Sequence, residues 1–129
     1  MTPKWLEQTG LVLFTENYQA CERFYRDTIG LEVFADKGNL IVLVFGSGYL
    51  MVEDAGVAVP GGKSRAQSPV TLRFNVADVE AVAAQLREKG VPVEVASFDW
   101  GTIGTFLDPD GNRCELRNHF DGFFAPTKD

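Results

Sequence analysis

The sequence predicts an α+β fold: two tandem βαβββ units forming a curved mixed sheet around a cleft. Three observations carry that prediction. Residues suited to starting and stopping a helix recur about sixty positions apart, Asn17 with Asp78 and Gly30 with Gly90. The turn Gly46-Ser47-Gly48 matches the turn Asp108 to Gly111 at a similar offset, and each precedes an alternating apolar run. Between the halves lies a stretch with Gly56, Pro60, Gly61, Gly62 and Pro69 and little periodic apolar content, which reads as a linker. The chain is thus one domain, with a unit at 9–54, a linker at 55–69, a second unit at 70–118 and a tail at 119–129.

Leu11 to Thr15 is a compact apolar run and opens the first unit as a strand. Asn17 can cap the helix that follows through its side-chain oxygen; Tyr18, Cys21, Phe24, Tyr25 and Thr28 recur on one face, and Gly30 ends it. Leu31 to Ala35, Asn39 to Phe45 and Tyr49 to Glu53 read as three strands, broken at Asp36-Lys37-Gly38 and Gly46-Ser47-Gly48. In the second unit Val70 to Val76 is a strand. Asp78 caps a helix carrying Val79, Val82, Ala83 and Leu86 on one face, and Gly90 closes it before the strand Val91 to Ala96. The last hairpin turns at Asp108-Pro109-Asp110-Gly111-Asn112, where Pro109 fixes φ and Gly111 is free to take φ > 0.

Each helix covers one sheet face, so the other face lines the cleft. Strand parity assigns that face to Gly10, Val12 and Phe14; to Tyr49, Met51 and Glu53; to Thr71, Arg73 and Asn75; and to Arg113, Glu115 and Arg117. The cleft then has apolar and aromatic walls in Phe14, Tyr49, Met51 and Trp100, with Arg73, Asn75, Arg113 and Glu115 as polar groups. Arg73 and Glu115 form either a salt bridge or a ligand anchor. As a buried couple, its rupture would cost on the order of 3 kcal/mol.

Composition narrows the function. A net charge of −6 argues against nucleic acid as a partner and suits a cationic ligand. Cys21 and Cys114 have no metal-ligand spacing and read as small core residues in a reducing compartment. No signal peptide and no apolar run of membrane-spanning length is present, so a soluble, cytoplasmic protein without a membrane partner is expected. His119 is the single histidine, which excludes a two-histidine metal site within one subunit, and no nucleophile elbow is present. Short sheets with open edges, and the tail residues Phe120, Phe123 and Phe124, lead to an expected homodimer.

The paired units, the Phe24-Tyr25 and Ile29-Gly30-Leu31 run, and the segment Phe106 to Leu116 together resemble the vicinal-oxygen-chelate superfamily over Gly10 to Arg117. That superfamily includes glyoxalase I, extradiol dioxygenases, fosfomycin-resistance enzymes and bleomycin-resistance binding proteins. The resemblance implies that metal-using members place a His or Gln on the first strand of each unit and a Glu on the last. Those positions fall here at Gly10, Thr71, Met51 and Glu115, and only Glu115 matches; a shift of two residues would offer Glu53 in place of Met51. No metal or other cofactor is therefore expected, and no catalytic residue is assigned. Two functions follow from the resemblance. One is a binding protein that sequesters a small cationic or aromatic compound without a catalytic metal. The alternative is a metal-dependent glyoxalase-like lyase, dioxygenase or resistance transferase with displaced ligands.

Overall fold

The computed structural model describes residues 2–118. The tail at 119–129, with His119, Phe120, Phe123 and Phe124, lies outside the described residues. The chain divides into two compact units between Pro60 and Gly61, inside the linker predicted at 55–69.

In the first unit β1 (Gly10–Thr15) leads into α1 (Tyr18–Arg23), and β2 (Val33–Asp36), β3 (Leu40–Phe45) and β4 (Gly48–Asp54) follow. The sheet order is β1-β4-β3-β2, with β1 parallel to β4 and the other pairs antiparallel. Alternation decides the faces as predicted: Thr15, Ile41, Leu43, Leu50 and Val52 are fully buried together with Cys21 and Tyr25 of the helix.

The helix departs from expectation in two ways. Asn17 occupies the N-cap position but makes no side-chain capping bond; its backbone oxygen accepts from Cys21 N at 2.9 Å. Beyond Arg23 the chain continues as a π-helical segment, Phe24–Ile29. A π turn rotates less per residue than an α turn, so it brings consecutive side chains closer to one face. Phe24 and Tyr25 are consecutive, both are buried, and their rings meet edge to face at 5.1 Å.

In the second unit β5 (Leu72–Val76), α2 (Val79–Glu88), β6 (Glu94–Phe98), β7 (Gly101–Leu107) and β8 (Arg113–Asn118) repeat the order. The sheet runs β5-β8-β7-β6, again with one parallel pair, β5 with β8. Here the cap is as predicted, since the Asp78 carboxylate accepts from Ala81 N at 3.1 Å. Val79, Ala83 and Leu86 of the helix are buried, as are Leu72, Phe106, Cys114 and Leu116 of the sheet, and together they make the core.

Both strands that follow a helix start later than predicted, β2 at Val33 rather than Leu31 and β6 at Glu94 rather than Val91. The physical reason is shared. Leu31 N donates to Tyr25 O at 3.0 Å and Val91 N donates to Leu86 O at 3.0 Å, so these residues still satisfy helix carbonyls. β5 also starts later, at Leu72 rather than Val70: its first partner on β8 is Cys114, and Asn112, which this register would set opposite Val70, is tied into the turn through its bonds to Asp108.

Candidate functional site: an apolar cavity on the first sheet

On the face of the first sheet away from the helix, β3 and β4 set Val42 opposite Met51 and Val44 opposite Tyr49. These four side chains, with Phe34 from β2 and Gln8 from the residues before β1, line a cavity of about 360 Å³. Phe34 reaches it from an irregular position, because the β2–β3 register shifts between Val33 and Ala35, and a bulge re-aims the side chain it carries. It is 76% exposed, the largest exposure of any aromatic ring on the sheet.

Beneath Tyr49 lies Gly10, its partner on β1. A Cβ placed on Gly10 would collide with Cζ and both Cε carbons of the Tyr49 ring. Glycine is what lets the ring approach the strand so closely.

A larger cavity of about 550 Å³ lies beyond the C-terminal ends of β1 and β4, lined by Glu16, Asn17, Tyr18, Arg23, Asn39 and Asp54. Burial pushes the Tyr18 phenol above its ordinary value, and the carboxylates of Glu22 and Asp36 add to the effect. Its lining is charged and amide-rich, whereas the smaller cavity has the apolar and aromatic walls that bury an organic ligand. The smaller one is the better candidate on chemistry, despite its size.

In the second unit the register sets Arg73 opposite Glu115 and Asn75 opposite Arg117. Arg73 Nε donates to Glu115 Oε1 at 2.7 Å. The expectation of a buried couple needs correction, because the Arg73 side chain is 40% exposed against 11% for Glu115. Solvent screens such a pair, so Glu115→Gln should cost about 1 kcal/mol rather than 3. Denaturant melts in low and high salt check this, with the cost expected to shrink as salt rises.

Trp100 stands outside the strands, in the β6–β7 turn, where its ring stacks on Phe98 at 4.8 Å and 4° and takes the Arg117 guanidinium at 4.9 Å. Arg117 is fully buried, and its Nη2 donates to Trp100 O at 3.0 Å. Gly101, at φ 150°, has no side chain to obstruct Nη1 of that guanidinium. Of the residues predicted at the site, Tyr49 and Met51 share the first unit's cavity. Phe14 is on the predicted face but 52% exposed and outside that cavity's lining. Arg73, Asn75, Arg113 and Glu115 lie on the second sheet, where Arg113 pairs with Leu107.

Sequence reasoning missed Phe34, Val42, Val44 and Gln8. The parity of β3, with Ile41 and Leu43 buried, would have found both valines. Nothing local marks the bulge that turns Phe34.

The metal ligands implied by the resemblance do not fit these residues. Gly10 has no donor and is covered by the Tyr49 ring, Met51 is a soft thioether facing Val12, and Glu115 is engaged by Arg73. The register pairs Glu53 with Phe14, two residues beyond the Val12–Met51 pair, so the shift that would bring Glu53 to the Met51 position does not occur. Among the described residues no group of three or more His, Cys, Asp or Glu could hold a metal ion. No helix among them is long and apolar enough to cross a membrane.

Comparison with known proteins adds to this geometry. The chain is 28% identical to the uncharacterized protein YraH of Bacillus subtilis (strain 168), over 81% of this chain and 91% of that protein. Among solved structures it resembles TnmS3, an antibiotic binding protein from Streptomyces sp. CB03234, with a TM-score of 0.72 at 22% identity, covering 92% of this chain and 100% of that one. It also resembles lactoylglutathione lyase from Agrobacterium tumefaciens, with a TM-score of 0.69 at 22% identity, covering 91% and 96%. At such identities the likeness is one of fold. The family model for the Glyoxalase/Bleomycin resistance protein/Dioxygenase superfamily matches residues 7–116, nearly the full span of both βαβββ units, and the chain belongs to that superfamily.

Proposed function

We propose that this chain is a small-molecule-binding protein of the glyoxalase/bleomycin-resistance type, which takes a planar aromatic or cationic compound in the first unit's cavity and uses no catalytic metal. The observation that carries this reading is the cavity of about 360 Å³ walled by Phe34, Val42, Val44, Tyr49 and Met51. Its size and walls suit a small organic ligand, and the net charge of −6 favours a cation. The antibiotic binding of TnmS3, a protein of the same fold, supports it further.

A thermal-shift screen of planar organic cations, run beside metal analysis of the purified protein, tests the reading. At ligand concentrations about a hundredfold above Kd, the protein should gain roughly 2.7 kcal/mol of stability. Stoichiometric zinc, nickel, iron or manganese, lost together with an activity on chelation, would overturn it.

The homodimer belongs to the same reading, because Val12, Phe14, Val33 and Phe34 leave apolar surface exposed on the first unit. Light scattering at micromolar concentration should report twice the 14.2 kDa chain mass. A monomer under those conditions would remove the dimer from the reading.

A further inference from the structure

We infer that Gly10 keeps the first unit's cavity open by giving the Tyr49 ring a place to lie, and that Tyr49 thereby sets which ligands fit. This rests on the reading of that cavity as a ligand site.

The geometry starts from the strand pairing. Gly10 and Tyr49 are directly opposite on β1 and β4, so both project to the open face. A Cβ on Gly10 would meet Cζ and both Cε carbons of Tyr49 almost equally. An atom that meets three adjacent ring carbons at once lies against the face of the ring rather than its edge. The ring therefore lies flat over the Gly10 backbone, in the space any side chain there would fill. β1 is an edge strand, and an aromatic ring laid across an edge glycine also covers its exposed backbone.

On its other side Tyr49 faces Val44, and the next pair along is Met51 with Val42. All four line the cavity. Tyr49 thus stands between a glycine and a valine on the same face. While the ring rests on Gly10, the volume above Val44 and Met51 stays empty. A larger residue at position 10 would drive the ring toward Val44, and because side chains occupy discrete rotamers the move would be a switch rather than a gradual shift. The class of ligand admitted is a flat aromatic cation that fills the vacated volume.

The test uses proflavine, a planar aromatic cation, with methyl and Gly Hα resonances as a second readout. In the wild-type protein the Gly10 Hα protons should be shifted upfield by the Tyr49 ring current, and Tyr49→Ala should abolish that shift. In Gly10→Val the ring current should appear on the Val44 methyls, and proflavine should bind about tenfold or more weakly. Adding Tyr49→Ala to Gly10→Val should restore binding to the Tyr49→Ala level. If Gly10→Val does not fold, Gly10→Ala carries the same expectation at smaller amplitude.

Unshifted Gly10 Hα protons in the wild type, or Val44 methyls unmoved in the position-10 variant, would overturn the inference. So would equal proflavine binding by wild type and variant, although the ligand-site reading would then stand. If the wild-type protein binds no proflavine, that choice of ligand class falls, and the resonance shifts alone decide the role of Gly10.

Discussion

Asp108→Ala should lower stability by about 3 kcal/mol, the largest loss expected from any single substitution outside the hydrophobic core. The Asp108 carboxylate is buried and accepts from Asp110 N at 2.9 Å, from Asn112 N at 2.9 Å and from Asn112 Nδ2 at 2.8 Å. Alanine strands two backbone donors and a side-chain amide in the same turn, and each buried unpaired donor costs about 1–3 kcal/mol, with the three not additive. Asp108→Asn is the control, because its amide oxygen can still accept while its amide nitrogen opposes Asn112 Nδ2. It should cost about 1 kcal/mol. Urea melts of the two variants decide the matter, and a loss below about 1 kcal/mol for Asp108→Ala would show that these three bonds do not stabilise the β7–β8 connection.

Arg117→Ala should cost about 2–3 kcal/mol, because the residue is fully buried and its stem packs as well as its charge. The guanidinium donates to Trp100 O at 3.0 Å and to Asn118 Oδ1 at 3.3 Å, and it sits by the Trp100 ring. Its loss should loosen the β6–β7 turn and separate Trp100 from Phe98, which tryptophan emission reports directly. Arg117→Lys should recover little of the stability, since an ammonium cannot lie flat on the indole and reach both oxygens. Full recovery by lysine would show that charge alone matters at this position.

Much of the fold was legible because its signals are local. Gly30 and Gly90 take positive φ at the ends of the two helices, Asp78 caps α2, and the turn at Asp108 to Asn112 has the chemistry a hairpin needs. Strand parity is legible as well, since it depends only on alternation. The misses need information from elsewhere in the chain. The π segment at Phe24–Ile29 buries two neighbouring rings under the sheet, and the Phe34 bulge is a property of the pairing between β2 and β3.

The site was legible in part for the same reason. Tyr49 and Met51 follow from parity, whereas Trp100, expected as a cleft wall, has its ring occupied by Phe98 and Arg117 in a turn. Gly10 read as a missing ligand. Only the register, which sets it under Tyr49, shows what a glycine does there.

A methyl-resonance titration of chelator-treated protein with proflavine tests metal-free binding in the first unit's cavity most directly. Saturable shifts confined to the methyls of Val42, Val44 and Met51, with Leu72 and Leu116 of the second unit's core unmoved, are the expected result. Shifts that appear only after a divalent metal is restored, or that leave those three methyls untouched, would contradict it.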